Sequence, residues 1–169
     1  MNQNTFINLI NPVKDKMYRL ALRLLTSKES AEDATQEVFL KLWNRNEKIK
    51  DYANLEAFAM TVTRNYCLDQ LKSKQNSNLK MIHNNYESHE RSIHDQLEIT
   101  DELEQVSLII NSLPEQQKII FQLRDIEQYE FEEIAEITKM NESAIRVALS
   151  RVRKKIREEL LKKHNYGIK

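Results

Sequence analysis

The sequence predicts an all-α protein. One glycine and two prolines occur among its 169 residues, although strands are usually joined by turns that contain glycine or proline. Apolar residues recur at three- and four-residue steps over long stretches, whereas runs that alternate with period two are few. Composition and periodicity therefore both favour helices that bury one side.

Charge is balanced overall but separated along the chain. The sequence has 26 basic and 26 acidic residues, yet residues 136–169 carry ten Lys and Arg against four Asp and Glu. Residues 76–104 carry two basic residues against seven acidic ones. A basic terminal segment beside an acidic middle is typical of a nucleic-acid-binding surface, and such binding weakens as salt rises.

Other residue patterns exclude several classes of protein. Cys67 is the single cysteine, so an intramolecular disulfide is excluded and a reducing compartment is expected. No apolar run reaches the roughly 20 residues of a membrane span, and the first residues lack a signal-peptide layout. The histidines His83, His89 and His94 lack the spacing of a metal site. We therefore expect a cytoplasmic protein without membrane insertion, metal or cofactor, and, since no catalytic motif appears, a protein that is not an enzyme.

The first two helices are predicted from their caps. Asn11 followed by Pro12 is typical of an N-cap and first helical position, which predicts a helix from there to about Leu25. After a break at residues 26–28, Ser30 and Asp33 resemble a capping box that opens the second helix.

The second helix is predicted to present an acidic face. Its apolar residues gather on one side, while Leu40 lies among carboxylates on the other. A leucine there indicates a surface that docks on a partner, although a single exposed leucine is also ordinary. The candidate docking residues are Asp33, Gln36, Glu37 and Leu40.

A second candidate surface lies around residues 52–74. Asn54 is expected to cap a third helix and Asn65 a fourth. Cations with interleaved aromatic residues suit a single strand of nucleic acid, although such aromatic residues also pack in cores and such lysines also occur at solvated helix ends. The cationic and polar candidates are Arg64, Asn65 and Lys72, with Lys74 nearby.

A helix-turn-helix is predicted at residues 131–161. A short helix from Phe131 is followed by a turn at residues 138–140, and Asn141 is the expected N-cap of a second helix. That helix has one apolar stripe and, opposite to it, a cationic face suited to the major groove, although a solvated basic helix would show the same charge. The candidate DNA-reading residues are Arg146, Val147, Ser150, Arg151 and Lys154.

Three segments together resemble a known family. They read AEDATQEVFLKLW at residues 31–43, TRNYCLDQLK at residues 63–72, and LPEQQKIIFQLRDIEQYEFEEIAEITKMNESAIRVALSRVRKK at residues 113–155. In order and spacing they resemble a bacterial RNA polymerase sigma factor of the sigma-70 family, extracytoplasmic-function (ECF) group. The resemblance implies two small helical domains joined by a flexible linker: sigma domain two over residues 5–75, the linker over 76–99, and sigma domain four over 100–165.

The resemblance also implies partners and roles. The factor would bind core RNA polymerase and direct it to promoter DNA, with domain four also contacting the polymerase flap. The acidic face around Leu40 would dock on the clamp coiled coil of the largest subunit. Arg64 and Asn65 would lie in or beside a loop that accepts a flipped base of the minus-ten element, and the face containing Arg146 and Arg151 would meet the minus-thirty-five element. An anti-sigma factor would be a further partner, which the sequence alone does not decide.

Three departures from the family pattern and one alternative remain. Val147 and Ala148 stand where the family commonly has more polar residues, so contact of Val147 with a thymine methyl is expected. Lys139 stands where the family usually has glycine, so either the turn differs or Lys139 adopts a left-handed conformation at some cost. Glu130 replaces the usual Ser or Thr cap. The alternative is a stand-alone helix-turn-helix regulator, which would bind a palindromic site tightly without polymerase.

Overall fold

The computed structural model of the chain describes residues 1–81 and 101–166, and within these ranges it contains helices and no strand. The all-α prediction is confirmed. The helices are α1 (Gln3–Leu25), α2 (Lys28–Trp43), α3 (Asn46–Ile49), α4 (Leu55–Met81), α5 (Asp101–Asn111), α6 (Glu115–Phe121), a π-helical turn (Gln122–Ile126), α7 (Phe131–Thr138) and α8 (Glu142–Tyr166).

Helix α1 begins nine residues before the predicted start at Pro12. The side chain of Asn2 caps it by accepting a hydrogen bond of 2.8 Å from the backbone N–H of Thr5. Pro12 lies inside the helix, where a proline removes one hydrogen bond and costs about 3 kcal/mol. The prediction was wrong because Phe6 and Ile10, both 0% exposed, extend the apolar stripe before the proline, and their burial outweighs that cost.

The N-terminal domain is a bundle of α1, α2 and α4. The ring of Phe6 packs edge-to-face against Phe39 and Trp43, with centroid distances of 5.0 and 5.1 Å. Helix α2 begins at Lys28 after Ser27, whose hydroxyl accepts from the backbone N–H of Ser30, so the cap lies three residues before the predicted one. The predicted core face of α2 is buried and comprises Ala31, Ala34, Val38 and Leu42, with Phe39 half-buried.

Helix α4 is continuous where the sequence predicted a break. It starts after Asn54, whose side chain accepts from the N–H of Ala57 as predicted, and runs without interruption through Arg64 and Asn65 to Met81. No glycine or proline occurs in this stretch, so nothing in the backbone opposes a single helix. The helix continues six residues into the predicted linker, and the rest of that linker, with its three histidines, lies outside the described residues.

The C-terminal domain packs α5, α6 and α7 against α8. Isoleucines of α6, α7 and α8 form the main core, and Ile110, Leu113 and Val152 form a smaller cluster. Helix α8 extends to Tyr166, five residues beyond the predicted end of the helix-turn-helix at residue 161. Residues 167–169 lie outside the described residues.

The two domains pack against each other, which the sequence analysis did not predict. Buried side chains of α1, α2 and α4 form one hydrophobic cluster with those of α6, α7 and the start of α8. Contacts between the domains run mainly from α1 to α6 and from α4 to α7. The domain interface is therefore built largely on two helices of the N-terminal bundle.

Polar contacts at this interface centre on Glu127, whose side chain is only 2% exposed. Arg19 donates two hydrogen bonds to its carboxylate, at 2.6 and 2.8 Å, and the hydrogen bond from Arg19 to this carboxylate is the largest factor that raises the pKa of Arg19. A second contact joins the hydroxyl of Tyr129 to the Glu56 carboxylate at 2.7 Å. Burial, together with this hydrogen bond, raises the pKa of Tyr129. Both ionisable pairs are thus fixed across the two domains.

Candidate nucleic-acid interface

The helix-turn-helix consists of α7, a short turn and α8. Lys139 ends α7 with φ 60° and ψ 25°, so it adopts the left-handed conformation that is one of the two predicted outcomes. Asn141 then caps α8 by accepting 2.8 Å from the N–H of Ala144, as predicted. At the other end of α7, the side chains of Glu130 and Glu133 form a reciprocal capping box, so glutamate replaces the usual Ser or Thr without loss of the cap.

Helix α8 has the two faces that its periodicity predicted. Ile145, Leu149 and Val152 are buried against the rest of the domain. All five predicted DNA-reading residues are exposed: Arg146, Val147, Ser150, Arg151 and Lys154. Val147 is 50% exposed, which leaves its methyl groups free to contact a thymine methyl. The structure therefore presents a cationic face on α8 that also exposes the apolar side chain of Val147.

Three further residues belong to this surface, and the sequence analysis did not single them out. Arg153 and Arg157 line a shallow cleft beside the exposed face, together with Phe131 of α7. Arg153 donates two hydrogen bonds to Asp125 at 2.5 and 3.1 Å. Arg153 was the easiest of these to find, because it lies seven residues after Arg146 and therefore on the same side of α8. Phe131 is fifteen residues before Arg146, and no local periodicity connects them.

The acidic face of α2 is a second candidate surface. Asp33, Gln36, Glu37 and Leu40 are all exposed, and Leu40 shows 53% of its surface. The opposite face of α2 is buried in the bundle, so this face of the helix is not needed for the domain's own core. A large exposed apolar side chain on a helix face that also carries Asp33 and Glu37 is the composition expected of a surface that contacts another protein.

The third candidate surface is less compact than the sequence suggested. Arg64, Asn65 and Lys72 lie on the middle of α4. The resemblance had implied a position in or beside a loop for Arg64 and Asn65, and the structure places both within the helix. Asn65 and Lys72 are seven residues apart and share the exposed side of the helix, whereas Arg64 is half-buried at its flank. Arg64 donates a 2.9 Å hydrogen bond to Asn65, and burial lowers the pKa of Arg64.

The aromatic residues near this surface make different contacts. Tyr52, in the loop that precedes α4, stacks on Phe58 in the first turn of α4, with the ring centroids 4.1 Å apart and the planes 12° from parallel. Tyr52 remains 39% exposed. Tyr66 lies under the ammonium group of Lys41 at 4.8 Å. An exposed stacked pair is a platform on which an unpaired base can stack, so Tyr52 is a more suitable candidate for base contact than Tyr66.

Two kinds of site are absent from the part of the chain that the structure describes. Within residues 1–81 and 101–166, no helix combines the length and apolar character needed to cross a membrane. The same residues bring together no group of three or more His, Cys, Asp or Glu side chains able to hold a metal ion.

Fold and surfaces together define a two-domain helix-turn-helix protein with an exposed acidic helix on its first domain. Comparison with known families specifies this class further. The sigma-70 region 2 model matches residues 9–77, and the sigma-70 region 4 model matches residues 103–156. These matches together cover more than half of the chain, and two of the similar curated proteins are named as ECF sigma factors. The chain therefore belongs to the sigma-70 family of RNA polymerase sigma factors, in its extracytoplasmic-function group.

Individual relatives are distant in sequence. The chain is 26% identical over 163 residues to ECF RNA polymerase sigma factor SigE of Mycolicibacterium smegmatis, a match that covers 91% of this chain and 61% of that protein. It is 28% identical over 156 residues to RNA polymerase sigma factor SigV of Bacillus subtilis, covering 92% and 91%. The chain spans 61% and 42% of the lengths of two of the curated relatives it matches.

A solved structure shows the same fold. The sigma factor RpoE from Bartonella quintana, in its complex with the anti-sigma factor NepR, superposes with a TM-score of 0.77 at 22% identity, covering 92% of this chain and 96% of that one. At 22% identity this likeness shows the fold of both domains. It does not assign roles to individual side chains.

Proposed function

We propose that this chain is a promoter-specificity subunit that binds core RNA polymerase and directs where transcription starts. One sigma-family chain combines an exposed acidic face on α2 that includes Leu40 with an exposed cationic face on α8 of the helix-turn-helix, and this combination carries the proposal. The first suits a protein partner and the second a duplex. On this proposal the chain acts by binding alone and carries out no chemical step.

Each surface has one proposed contact. The face formed by Asp33, Gln36, Glu37 and Leu40 docks on the clamp coiled coil of the largest polymerase subunit, and domain four also contacts the flap. The exposed face of α8, from Arg146 to Lys154, reads the minus-thirty-five element. Asn65 and Lys72, with Arg64 at the flank, hold the minus-ten strand. The corresponding domains are residues 5–75 and 100–165, connected by 76–99. Because the proposed partner acts on the chromosome, we propose that the protein is cytoplasmic.

The central experiment adds the purified chain to sigma-free core polymerase and genomic DNA fragments, and then maps new transcript starts. We expect starts that share two conserved sequence elements upstream. A stand-alone regulator would instead bind a palindromic site without polymerase and would produce no new starts with the core enzyme alone. That result would exclude the proposed function and support the alternative.

Polymerase docking is tested by Leu40→Asp, with Leu9→Asp as the matched control. Both leucines are exposed on the same domain, at 53% and 45%, but Leu9 is not on the acidic face of α2. We expect Leu40→Asp to weaken binding to core polymerase by about 2 kcal/mol, the size of a typical interface hot spot, and Leu9→Asp to leave it unchanged. Equal losses in the two variants would show that the face around Leu40 is not the docking surface.

DNA reading is tested by Arg151→Ala, with Lys163→Ala as the control. The two positions lie on the same helix, twelve residues and about 18 Å apart. We expect Arg151→Ala to cost roughly 1–3 kcal/mol of promoter affinity and to relax the preference at one base pair. Lys163→Ala is expected to change neither. An unchanged set of transcript starts in Arg151→Ala would remove this residue from the reading surface.

An anti-sigma factor is a further proposed partner. RpoE, the structural relative above, was crystallised with one, and this chain has the same two-domain fold. The proposal predicts that the protein purified from its own cells is inactive and is bound to a second protein. Removal of this second protein is expected to restore transcription with core polymerase. Full activity of the natively purified material would exclude it.

A further inference from the structure

Phe131, the first residue of α7, contacts two arginines through its ring. The guanidinium carbon of Arg124 lies 4.5 Å from the ring centroid, and that of Arg146 lies at the same distance. Arginine stacks readily on aromatic faces, because its guanidinium is planar and weakly hydrated. One ring therefore joins the segment before α7 to the exposed face of α8.

The two arginines differ in how they are held. Arg124 is a scaffold residue: its side chain is 29% exposed, donates 2.8 Å to the backbone carbonyl of Tyr129 and approaches Glu130 at 3.5 Å. Arg146 projects from the reading face with 54% of its side chain exposed, and its only ion pair among the described residues is with Glu142, at 3.4 Å. The contacts of Arg124 thus fix the ring, and the ring in turn restricts Arg146.

A base-reading arginine benefits from such restriction. A long exposed side chain samples many rotamers, and ordering it on DNA opposes binding. An arginine that already stacks on a ring has lost part of that freedom before DNA arrives, and half of its surface remains open to the groove. Glu142, one turn before it, neutralises part of its charge without covering it.

We propose that Phe131 is a positioning residue that presets the guanidinium of Arg146 for contact with a base of the minus-thirty-five element. This inference rests on the proposed function. Phe131 itself contacts no base; it acts through Arg146. The sequence analysis identified the arginine as a reading residue but not the ring that orients it.

The test measures promoter binding by the complex of full chain and core polymerase, for the native protein and for Phe131→Leu, Phe131→Met and Phe131→Tyr. The base pair that Arg146 reads is identified first with Arg146→Ala. It is the promoter position at which a base substitution weakens binding of the native protein but not of Arg146→Ala. We expect the Leu and Met variants to lose about two- to five-fold in affinity, the range of an exposed cation–π contact, only for promoters with the preferred base. Phe131→Tyr, which keeps the ring, should retain native affinity.

A double-mutant cycle separates positioning from packing. In the Arg146→Ala background, Phe131→Leu is expected to have no further effect. Phe121→Leu is the matched control, because it makes the same change in the same domain, within the small apolar cluster at Ile110 and Val152, and is expected to leave base preference unchanged. Phe131→Met is a second variant that removes the ring face, and it is included in case Phe131→Leu misfolds, because the flexible methionine side chain fills the site.

Three results would overturn the inference. An equal loss from Phe131→Leu with and without Arg146 would mean that the ring only supports the fold. Tighter binding in Phe131→Met would mean that the ring holds the arginine away from DNA. Loss of affinity in Phe131→Tyr, which keeps the aromatic ring, would mean that the ring is not what supports promoter binding. The proposed function is judged independently, by whether the native chain directs specific starts at all.

Discussion

Removal of the Arg19 guanidinium should loosen the packing of the two domains. The Glu127 carboxylate is 2% exposed and receives two hydrogen bonds from Arg19, so Arg19→Ala leaves a buried charge without its partner. Breaking a fully buried pair costs about 3–5 kcal/mol. The Arg19 side chain is 46% exposed, so water reaches the site from that side and the cost is smaller. We expect about 2 kcal/mol, or about thirty-fold in the equilibrium between packed and separated domains.

The packing is measured by energy transfer between dyes on cysteines introduced at the exposed positions Glu47 and Lys162, one in each domain. The native Cys67 does not interfere, because it is fully buried and burial raises its pKa to about 12. Arg19→Ala should lower transfer, whereas Lys14→Ala, which removes an exposed lysine of the same helix, should not. In Arg19→Ala, the further change Glu127→Gln should recover part of the loss, because an unpaired amide is less costly to bury than an unpaired carboxylate.

Two results would refute this reasoning. If Arg19→Ala leaves energy transfer unchanged, the apolar contacts alone hold the domains together. If Glu127→Gln adds its full cost to that of Arg19→Ala, the two side chains are energetically independent despite their 2.6 Å contact.

Four other changes have defined outcomes. Phe6→Ala should destabilise the N-terminal domain by about 3–5 kcal/mol in urea denaturation, since the ring is 0% exposed and contacts two other rings. Lys139→Gly should stabilise the C-terminal domain by up to about 1 kcal/mol in the same assay, because glycine accepts φ 60° without strain. Asn141→Ala should cost about 1 kcal/mol through loss of the cap of α8. The buried Cys67 thiol has its pKa raised from 9.0 to about 12, so its contribution to stability is complete below pH 9 and is lost as pH rises toward 12. A thiol reagent at pH 8 should therefore modify the unfolded protein and spare the native one, and rapid modification of the native protein would contradict the burial.

The sequence predicted features that depend on residues close together along the chain. The two faces of α8 follow from a repeat of three and four residues, and the cap at Asn141 follows from its place just before that repeat. The exposure of Leu40 was inferred in the same way, from one helix alone. Such features are set by backbone geometry and local hydrogen bonding, which a single segment contains.

The errors arose where packing outweighed a local signal. Pro12 normally marks the first turn of a helix, but the burial of Phe6 extends the helix before it. Asn65 is a good cap by type, but the uninterrupted core face of α4 keeps the helix intact through it. In both places, contacts with other helices decided the outcome, and those contacts cannot be read from the segment itself.

Contacts between distant segments were not predictable. Arg19 and Glu127 are 108 residues apart, and each alone resembles an ordinary surface charge. The sequence analysis named Phe131 only as the start of α7, and nothing in its spacing indicated two guanidinium contacts. A single sequence gives the faces of each helix but not which face of another helix it meets.

The π-helical turn constrains how this protein can change in length. Its defining bond, from the N–H of Glu127 to the carbonyl of Gln122 at 2.9 Å, encloses one residue more than an α-helical bond does. From this turn Glu127 reaches α1 and Asp125 reaches Arg153 of α8. Deletion of a single residue would restore a regular helix and rotate everything after it by about 100°. It would therefore separate Glu127 from Arg19 of α1 and Asp125 from Arg153 of α8 at once. Evolutionary gain or loss of single residues should therefore be rarer between residues 122 and 127 than at the surface turns of the same domain.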